Sequence, residues 1–486
     1  MNIDCLSNLE NKQVDVIVST VPWTDSSIPL MAPAVLKPIV ERVGMSCLAV
    51  DLNAEIYNAT LTHPNKDHLI NFFFSGVGHP DVNYWLKDMF ESVAREMLNW
   101  QPKIVALSLF SYASRSACEW ICHYIKKLSP DTMVIIGGAG CLEQFSGPST
   151  FADDIIQRRL VDYHVRGDGE HALHQLLLGN TDYPGINSAT WKILTNEELD
   201  QLPYPDYTNY NFAQYNKQMM GIQGSRGCVR TCTFCDYITN WEKFQWRTGE
   251  SIFKEMKLQY DKFGIRSFKF QDALTNGNLK EFNKLIRLLA EYNQQNPSKS
   301  FNWGGYYIFR NRGADDEEMW DVMAQSGAEF LTVGIENLNE DIRYAMGKKF
   351  NNESITFHLD QARRCKIKLD LLFVVGYVNE TQQHIDNAKS WLQQHVQYQD
   401  NLLITWGGTL GIFPNTWLDK NKDRSGVIMI GNLPNAWINP DVGSTPVLRA
   451  KWAKELTDHS LQLGYNVKPD SLDTHWVLEQ MINTHE

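Results

Sequence analysis

The chain has 486 residues, a length for two or three domains of about 100–200 residues each. Hydrophobic residues make up 43% and charged residues 21%, ordinary globular values that exclude the disordered, collagenous and coiled-coil classes. With 45 basic against 57 acidic residues the formal net charge is −12, which argues against the broad phosphate neutralisation of non-specific nucleic-acid binding. Nine cysteines are too few and too scattered for a disulfide scaffold. No apolar run reaches the roughly 18 residues of a spanning helix, and the start, MNIDCLSNLENKQVD, lacks a secretory signal. The expectation is a soluble cytoplasmic protein without a membrane partner, whose cysteines need a purpose.

The first part reads as alternating strands and helices. Val14–Thr20 is a β-branched run, Pro33–Val43 the following helix, Ser46–Leu52 and Lys103–Phe110 two further strands. Ser114–Leu128 has helical spacing, Thr132–Ile136 ends at Gly137-Gly138, and Val161–Val165 leads through Gly167 into a helix ending at Leu178. This alternation predicts a doubly wound parallel sheet, Rossmann-like, over residues 1–180, with its ligand at the carboxyl ends of the strands. Residues 181–215, rich in Pro, Tyr, Asn and Asp, read as a linker.

Strand–helix alternation then resumes over 216–420. The strands are expected at Met219–Gln223, Ser267–Gln271, Phe301–Tyr307, Phe330–Ile335, Lys368–Val375 and Leu402–Leu410. Helices fall between them at 248–263, 278–296, 314–326, 338–346, 352–365 and 381–396. Asp315, Asp316, Glu317 and Glu318 read as one helix start. Six such units predict a partial α/β barrel of TIM type, with its chemistry at the strands' carboxyl ends. Residues 421–486 form a small C-terminal extension, with helical spacing at Trp452–Leu463 and His475–Asn483.

One constellation dominates. Cys228, Cys232 and Cys235, spaced C-x3-C-x2-C, lie just after the first strand of this second domain. Three thiolates on one short loop suit an iron–sulfur cluster, and a cubane of four irons would keep one iron open to another ligand. Zinc normally takes four ligands, and no second C-x2-C or H-x3-H pair stands nearby. Unligated core cysteine is the remaining alternative.

This loop, with Phe234 before its last cysteine, resembles the cluster loop of the radical S-adenosylmethionine (radical SAM) superfamily. Phe270–Asn276, containing Gln271 and Asp272, resembles the family segment that closes the second strand. Val333-Gly334-Ile335-Glu336-Asn337 resembles the Gly-Ile-Glu stretch of the fourth strand, with Asn337 in place of a serine. Val375–Thr381 and Gly411–Thr416 resemble the Gly-x-Pro-Gly-Glu-Thr and Pro-Gly-Thr segments, each lacking family residues. The resemblance covers about residues 215–420 and implies one 4Fe–4S cluster on Cys228, Cys232 and Cys235. It implies contacts to S-adenosylmethionine from Phe234, Gln271, Asp272, Glu336 and Asn337, a 5′-deoxyadenosyl radical, and an electron donor such as flavodoxin or ferredoxin. Glu336 as a helix cap and Asp272 as a turn former are the plain alternatives.

The first domain is similar to the cobalamin-binding domain that precedes the radical domain in one subgroup. The similarity rests on Ser108-Leu109, Gly137-Gly138 and Val161–Glu170 with Gly167. It implies cobalamin bound at Ser108, Gly137, Gly138 and Gly167. A D-x-H-x-x-G pattern formed by Asp162, His164 and Gly167 follows the other elements instead of preceding them, so His164 is not expected to ligate cobalt. The loop Val21–Leu30 has no histidine either. Of the other cysteines, Cys5, Cys47, Cys118, Cys122, Cys141 and Cys365 read as buried thiols, with Cys141 at a ligand edge.

These readings converge on a cobalamin-dependent radical SAM enzyme that transfers a methyl group to an unactivated carbon of a small molecule or peptide. Two alternatives stand beside it. One is a radical SAM enzyme of rearrangement, cyclisation or oxidation whose first domain no longer binds cobalamin. The other is a non-catalytic iron–sulfur or zinc scaffold or sensor. Nucleic acid is not expected as a partner.

Overall fold

Val16–Val21 (β1) is buried along its whole length, as a strand covered on both faces must be. Cys47–Val50 (β2), Ile104–Leu109 (β3), Met133–Gly137 (β4) and Tyr163–Val165 (β5) complete the first sheet. Its order is β2-β1-β3-β4-β5, and every pairing is parallel. The strand order reverses between β1 and β3, the crevice where open sheets of this kind bind ligands. The computed structural model describes residues 6, 13–141, 150–188, 190–237, 241, 243–311 and 316–468. Cys5, Asp315 and the segment His475–Asn483 lie outside them.

Apolar cores lie on both faces of this sheet. One holds Ile17, Leu48, Val105 and Ile136, and the other Val16, Val18, Ala106 and Ile135, as the two-residue period of a strand dictates. Between β2 and β3 run three helices that the sequence reading did not mark: Leu52–Thr62, Lys66–Ser75 and Pro80–Leu98. The third buries Val82, Leu86, Met89, Phe90, Val93 and Met97, a helical period legible in the sequence.

Residues 181–215 hold a short helix, Asn196–Asp200, closed by a capping box between Thr195 and Glu198. They are tied to the first sheet's own elements. The Tyr210 hydroxyl donates to Leu30 O (2.8 Å), Tyr215 donates to the buried Asp51 carboxylate (2.9 Å), and Asp206 pairs with Lys37 (2.9 Å).

The second sheet contains Met219–Ile222 (β6), Ser267–Phe270 (β9), Asn302–Tyr307 (β10), Ala328–Glu336 (β11), Lys368–Val375 (β12), Leu402–Thr409 (β13) and Asn466–Val467 (β16). Two short hairpins, Ser225–Arg226 (β7) with Gln245–Trp246 (β8) and Ile428–Met429 (β14) with Trp437–Ile438 (β15), stand apart from it. The sheet order is β16-β13-β12-β11-β10-β9-β6, so the six expected strands lie in sequence order with β16 added at one edge. The pairings from β9 to β16 are parallel. Right-handed helical crossovers between sequential parallel strands produce a partial α/β barrel. The helices fall close to the expected ranges, for example Gly249–Phe263, Leu279–Gln295 and Gln382–Gln394. Of the acidic run, Asp316, Glu317 and Glu318 do start a helix, where the Asp316 carboxylate accepts from Met319 N–H at 2.9 Å.

Two compact units result, Met1–Gly221 and Ile222–Glu486, with the division inside β6. No helix among the described residues is long and apolar enough to cross a membrane.

Candidate active site

The cysteine loop leaves β6 through Gly224-Ser225, which Asp272 at the end of β9 holds in place. Asp272 accepts from Gly224 N–H (2.8 Å) and from the Ser225 hydroxyl (2.9 Å). Burial pushes this carboxyl up to about 7, against the lowering effect of those hydrogen bonds. The structure therefore places Asp272 inside the protein as the anchor of the loop's entry. Its neighbour Gln271 is exposed at the strand's carboxyl end.

Beyond Gly227 the loop is fixed by the segment after the helix Glu340–Ala345. Thr233 N–H donates to Met346 O (3.1 Å) and Leu418 N–H donates to Thr233 O (2.9 Å). The Tyr377 hydroxyl donates to Ala345 O (3.0 Å) and accepts from Thr233 Oγ1 (2.8 Å). Gly347 has φ +89°, and a Cβ there would stand 3.3 Å from Cys232 Cα. Only glycine takes that conformation at no steric cost while letting the two segments touch. Phe234 packs beside Ile342, Met346, Tyr377 and Trp437, which makes it a wedge that seats the loop.

Cys232 is buried, Cys228 and Cys235 are half-buried, and all three are free thiols. Burial pushes Cys235 up to about 12 and raises Cys232 as well, although Lys348 partly counters the latter. Such thiols become thiolates when a metal takes the proton's place. Three soft thiol donors on one short loop match the ligand preference of iron in iron–sulfur clusters, whereas zinc normally takes four protein ligands in a structural site. The donor set fits a polynuclear cluster.

Glu336 ends β11 at a shift of register against β12 and has φ +66°. A non-glycine residue in the left-handed region stores strain of about 1–3 kcal/mol, and such strain collects at functional sites. Its carboxylate meets Lys348 Nζ at 2.9 Å, and the same ammonium donates to Gly334 O at 3.2 Å. Burial alone would lower the Lys348 pKa, but Glu336 and the Cys232 and Cys228 thiols outweigh it and hold it above its ordinary value. The sequence reading missed Lys348. The signal that could have found it was the Gly347-Lys348-Lys349 run, whose first lysine stands twelve positions after Glu336.

Asn337 is buried, with Nδ2 donating to Glu380 (2.5 Å) and its carbonyl accepting from Arg343 (2.8 Å). It joins the segments that follow β11 and β12. Within the lumen Tyr306, Thr332 and Asp370 share one row across three strands, and Thr405 Oγ1 donates to Asp370 (2.8 Å).

In the first unit, Ser108 pairs with Gly137 where β3 and β4 end. Ser108, Gly137, Gly138, Gly169 and Leu36 border a small recess of about 50 Å³ at these carboxyl ends. Gly138 has φ +94°, and its Cβ would stand 2.4 Å from Leu109 O, so the chain's own packing already demands glycine there. Trp191 fills the space beside Gly167. His164 is buried and its Nε2 lies 3.5 Å from Asp153, with burial lowering its pKa. Cys118 and Cys122 are buried with their sulfurs 3.8 Å apart, and Cys141 is buried near them.

Residues 222–392 match the family model of the radical SAM superfamily. Among characterised relatives, the chain is 27% identical over 387 residues to cytidylyl-2-hydroxyethylphosphonate methyltransferase of Streptomyces wedmorensis, covering 70% of this chain and 67% of the relative. It is 22% identical over 252 residues to bacteriochlorophyllide d C-12(1)-methyltransferase of Chlorobaculum tepidum, covering 50% and 52%. The chain thus spans about two thirds of the first relative and about half of the second. In fold it is similar to the radical S-adenosylmethionine methyltransferase TsrM from Kitasatospora setae, solved with cobalamin and a 4Fe–4S cluster. The TM-score is 0.64 at 16% identity, covering 90% of this chain and 80% of that one. The match to the radical SAM superfamily thus spans residues 222–392, the segment that carries the cysteine loop and the strands around it.

Proposed function

We propose that this chain is a cobalamin-dependent radical SAM enzyme that transfers a methyl group to an unactivated carbon of a small molecule or peptide. The observation that carries the reading is the position of Cys228, Cys232 and Cys235 on one braced loop. That loop stands at the carboxyl end of the first strand of a sequentially ordered parallel sheet, where barrel enzymes place their chemistry. The separate sheet of order β2-β1-β3-β4-β5 and the methyltransferase relatives support the cobalamin half of the proposal.

In this reading Cys228, Cys232 and Cys235 hold a 4Fe–4S cluster. Glu336, Lys348 and Gln271 offer charge and hydrogen bonds to the polar ends of S-adenosylmethionine, while Asp272, Asn337 and Phe234 position the elements around it. Ser108, Gly137, Gly138 and Gly167 form the cobalamin edge. When bound, these groups supply an electron, a 5′-deoxyadenosyl radical and a transferable methyl group. The chain supplies orientation, a paired buried charge at the cluster loop, and a lumen whose Tyr306, Thr332 and Asp370 face the substrate and limit water. An electron donor such as flavodoxin or ferredoxin and a cytoplasmic, reducing location complete the proposal.

The internal packing roles of Gly138 and Gly167 favour a second reading, in which the first unit has lost cobalamin and the radical chemistry serves rearrangement, cyclisation or oxidation. Anaerobic reconstitution followed by gel filtration with hydroxocobalamin separates the two. Co-eluting corrin supports methyl transfer, and its absence overturns it. Formation of 5′-deoxyadenosine under dithionite, abolished in Cys232→Ala, tests the radical core. Without it the scaffold reading stands.

A further inference from the structure

We propose that His68, His79 and Asp81 form a binding site for a divalent transition-metal ion on the first unit, independent of the cysteine loop. His68 lies on the helix Lys66–Ser75, which ends at Gly76 with φ +72°. His79 caps the next helix, Pro80–Leu98, and Asp81 stands in its first turn. One ligand atom from each of the three residues lies within 4.8 Å of the others.

The three side chains converge their donor atoms on one small region. His79 Nδ1 lies 3.3 Å from Asp81 N and 3.5 Å from Asp81 Oδ2, so the space between ring and carboxylate accommodates a cation, a proton or a metal ion alike. The His68 ring stacks on His79 with centroids 3.7 Å apart and planes 2° from parallel. Its ligand atom is thereby held in the same group of three. Two imidazoles and one carboxylate suit Zn²⁺, Ni²⁺ or Cu²⁺, whereas Ca²⁺ and Mg²⁺ prefer all-oxygen sets. Asp81 is exposed, so an ion reaches the site without local unfolding.

The ion would join both helices across the loop at 76–79. The first of these helices rests on the segment after β3, where Phe74 and Tyr112 lie 6.2 Å apart and Gly76 faces Ser116. Metal binding is thereby coupled to the carboxyl edge of the first sheet, and it stabilises the folded unit by mass action.

The test uses the full chain with Cys228, Cys232 and Cys235 replaced by serine, so that thiolates do not compete. Equilibrium dialysis with Zn²⁺ alone is expected to show one saturable ion per chain. Co²⁺ is expected to give weak visible bands without the intense thiolate charge-transfer absorption. His79→Ala and His68→Ala are each expected to weaken binding at least tenfold, Asp81→Asn less, and the Zn²⁺-induced rise in melting temperature is expected to vanish in His79→Ala. Equal uptake by His68→Ala/His79→Ala, unsaturable uptake showing an adventitious ion only, or unchanged affinity in His68→Ala would each overturn the site.

Discussion

Lys348 Nζ stands 2.9 Å from Glu336 Oε1, and both groups are largely shielded from water beside the cysteine loop. The pair links the strained end of β11 to the segment that braces Cys232, and so joins two residues twelve positions apart beside the cysteine loop.

Removing one partner leaves a buried charge uncompensated. Lys348→Met is expected to lower unfolding stability by about 3 kcal/mol, and Lys348→Met/Glu336→Gln to recover part of the loss. Urea denaturation measures both. Equal destabilisation of the single and double variants would show that the pair is not coupled. Formation of 5′-deoxyadenosine by Lys348→Met should fall about tenfold or more, the effect of one charge-assisted hydrogen bond of roughly 1.5–3 kcal/mol.

Tyr377 makes two hydrogen bonds that fix the cysteine loop, to Ala345 O and to Thr233. At about 1 kcal/mol each, their removal in Tyr377→Phe should cost roughly 1–2 kcal/mol. The loosened loop should lose a reconstituted cluster faster in air, followed by bleaching of its visible absorption. An unchanged bleaching rate would assign Tyr377 to packing alone.

Asp272 predicts a pH dependence. Its folded-state value of about 7 lies above an unfolded value of about 4. Between those values the folded chain holds a proton that the unfolded chain has released. Stability from this group is therefore fully present below about pH 4 and is lost as pH rises toward 7, at up to about 1.4 kcal/mol per pH unit. Asp272→Asn should be least harmful near neutral pH and should flatten this slope in urea titrations from pH 5 to 8. A slope equal to that of the wild type would place the titrating group elsewhere.

Arg449 carries the C-terminal extension. It is fully buried, lies 3.6 Å over the Trp437 ring, and donates to Asn435 O, Trp437 O and Ser444. Its side chain occupies the space a Cβ would need at Gly376. Arg449→Met keeps much of the volume but orphans buried acceptors, so a loss of about 2–4 kcal/mol in chemical denaturation is expected. A loss below 1 kcal/mol would mean that the aromatic contact alone holds the extension.

Much of this molecule was legible in the chain. Lys368–Val375 is a strand with the bounds its β-branched and alternating pattern indicates, and the spacing of Cys228, Cys232 and Cys235 places three thiols on one short loop. Asn337, Asp272 and Phe234 were expected to touch a cofactor, yet their side chains bond or pack within the protein. Family position marks a place in the fold, whereas the direction of a side chain depends on neighbours distant in sequence. Arg449 and Tyr377 carried no local pattern, because each acts through partners on other elements.

Local periodicity and residue chemistry were therefore enough for two α/β sheets and for a three-thiol loop after β6, since both depend on neighbours a few positions apart. Tertiary structure decided what holds that loop, which carboxylates face inward, and how Lys348 comes to Glu336. It also decided that His68 and His79, on separate helices, lie ring on ring. Those relationships depend on which strand ends converge, and a parallel sheet brings together residues that the chain keeps far apart.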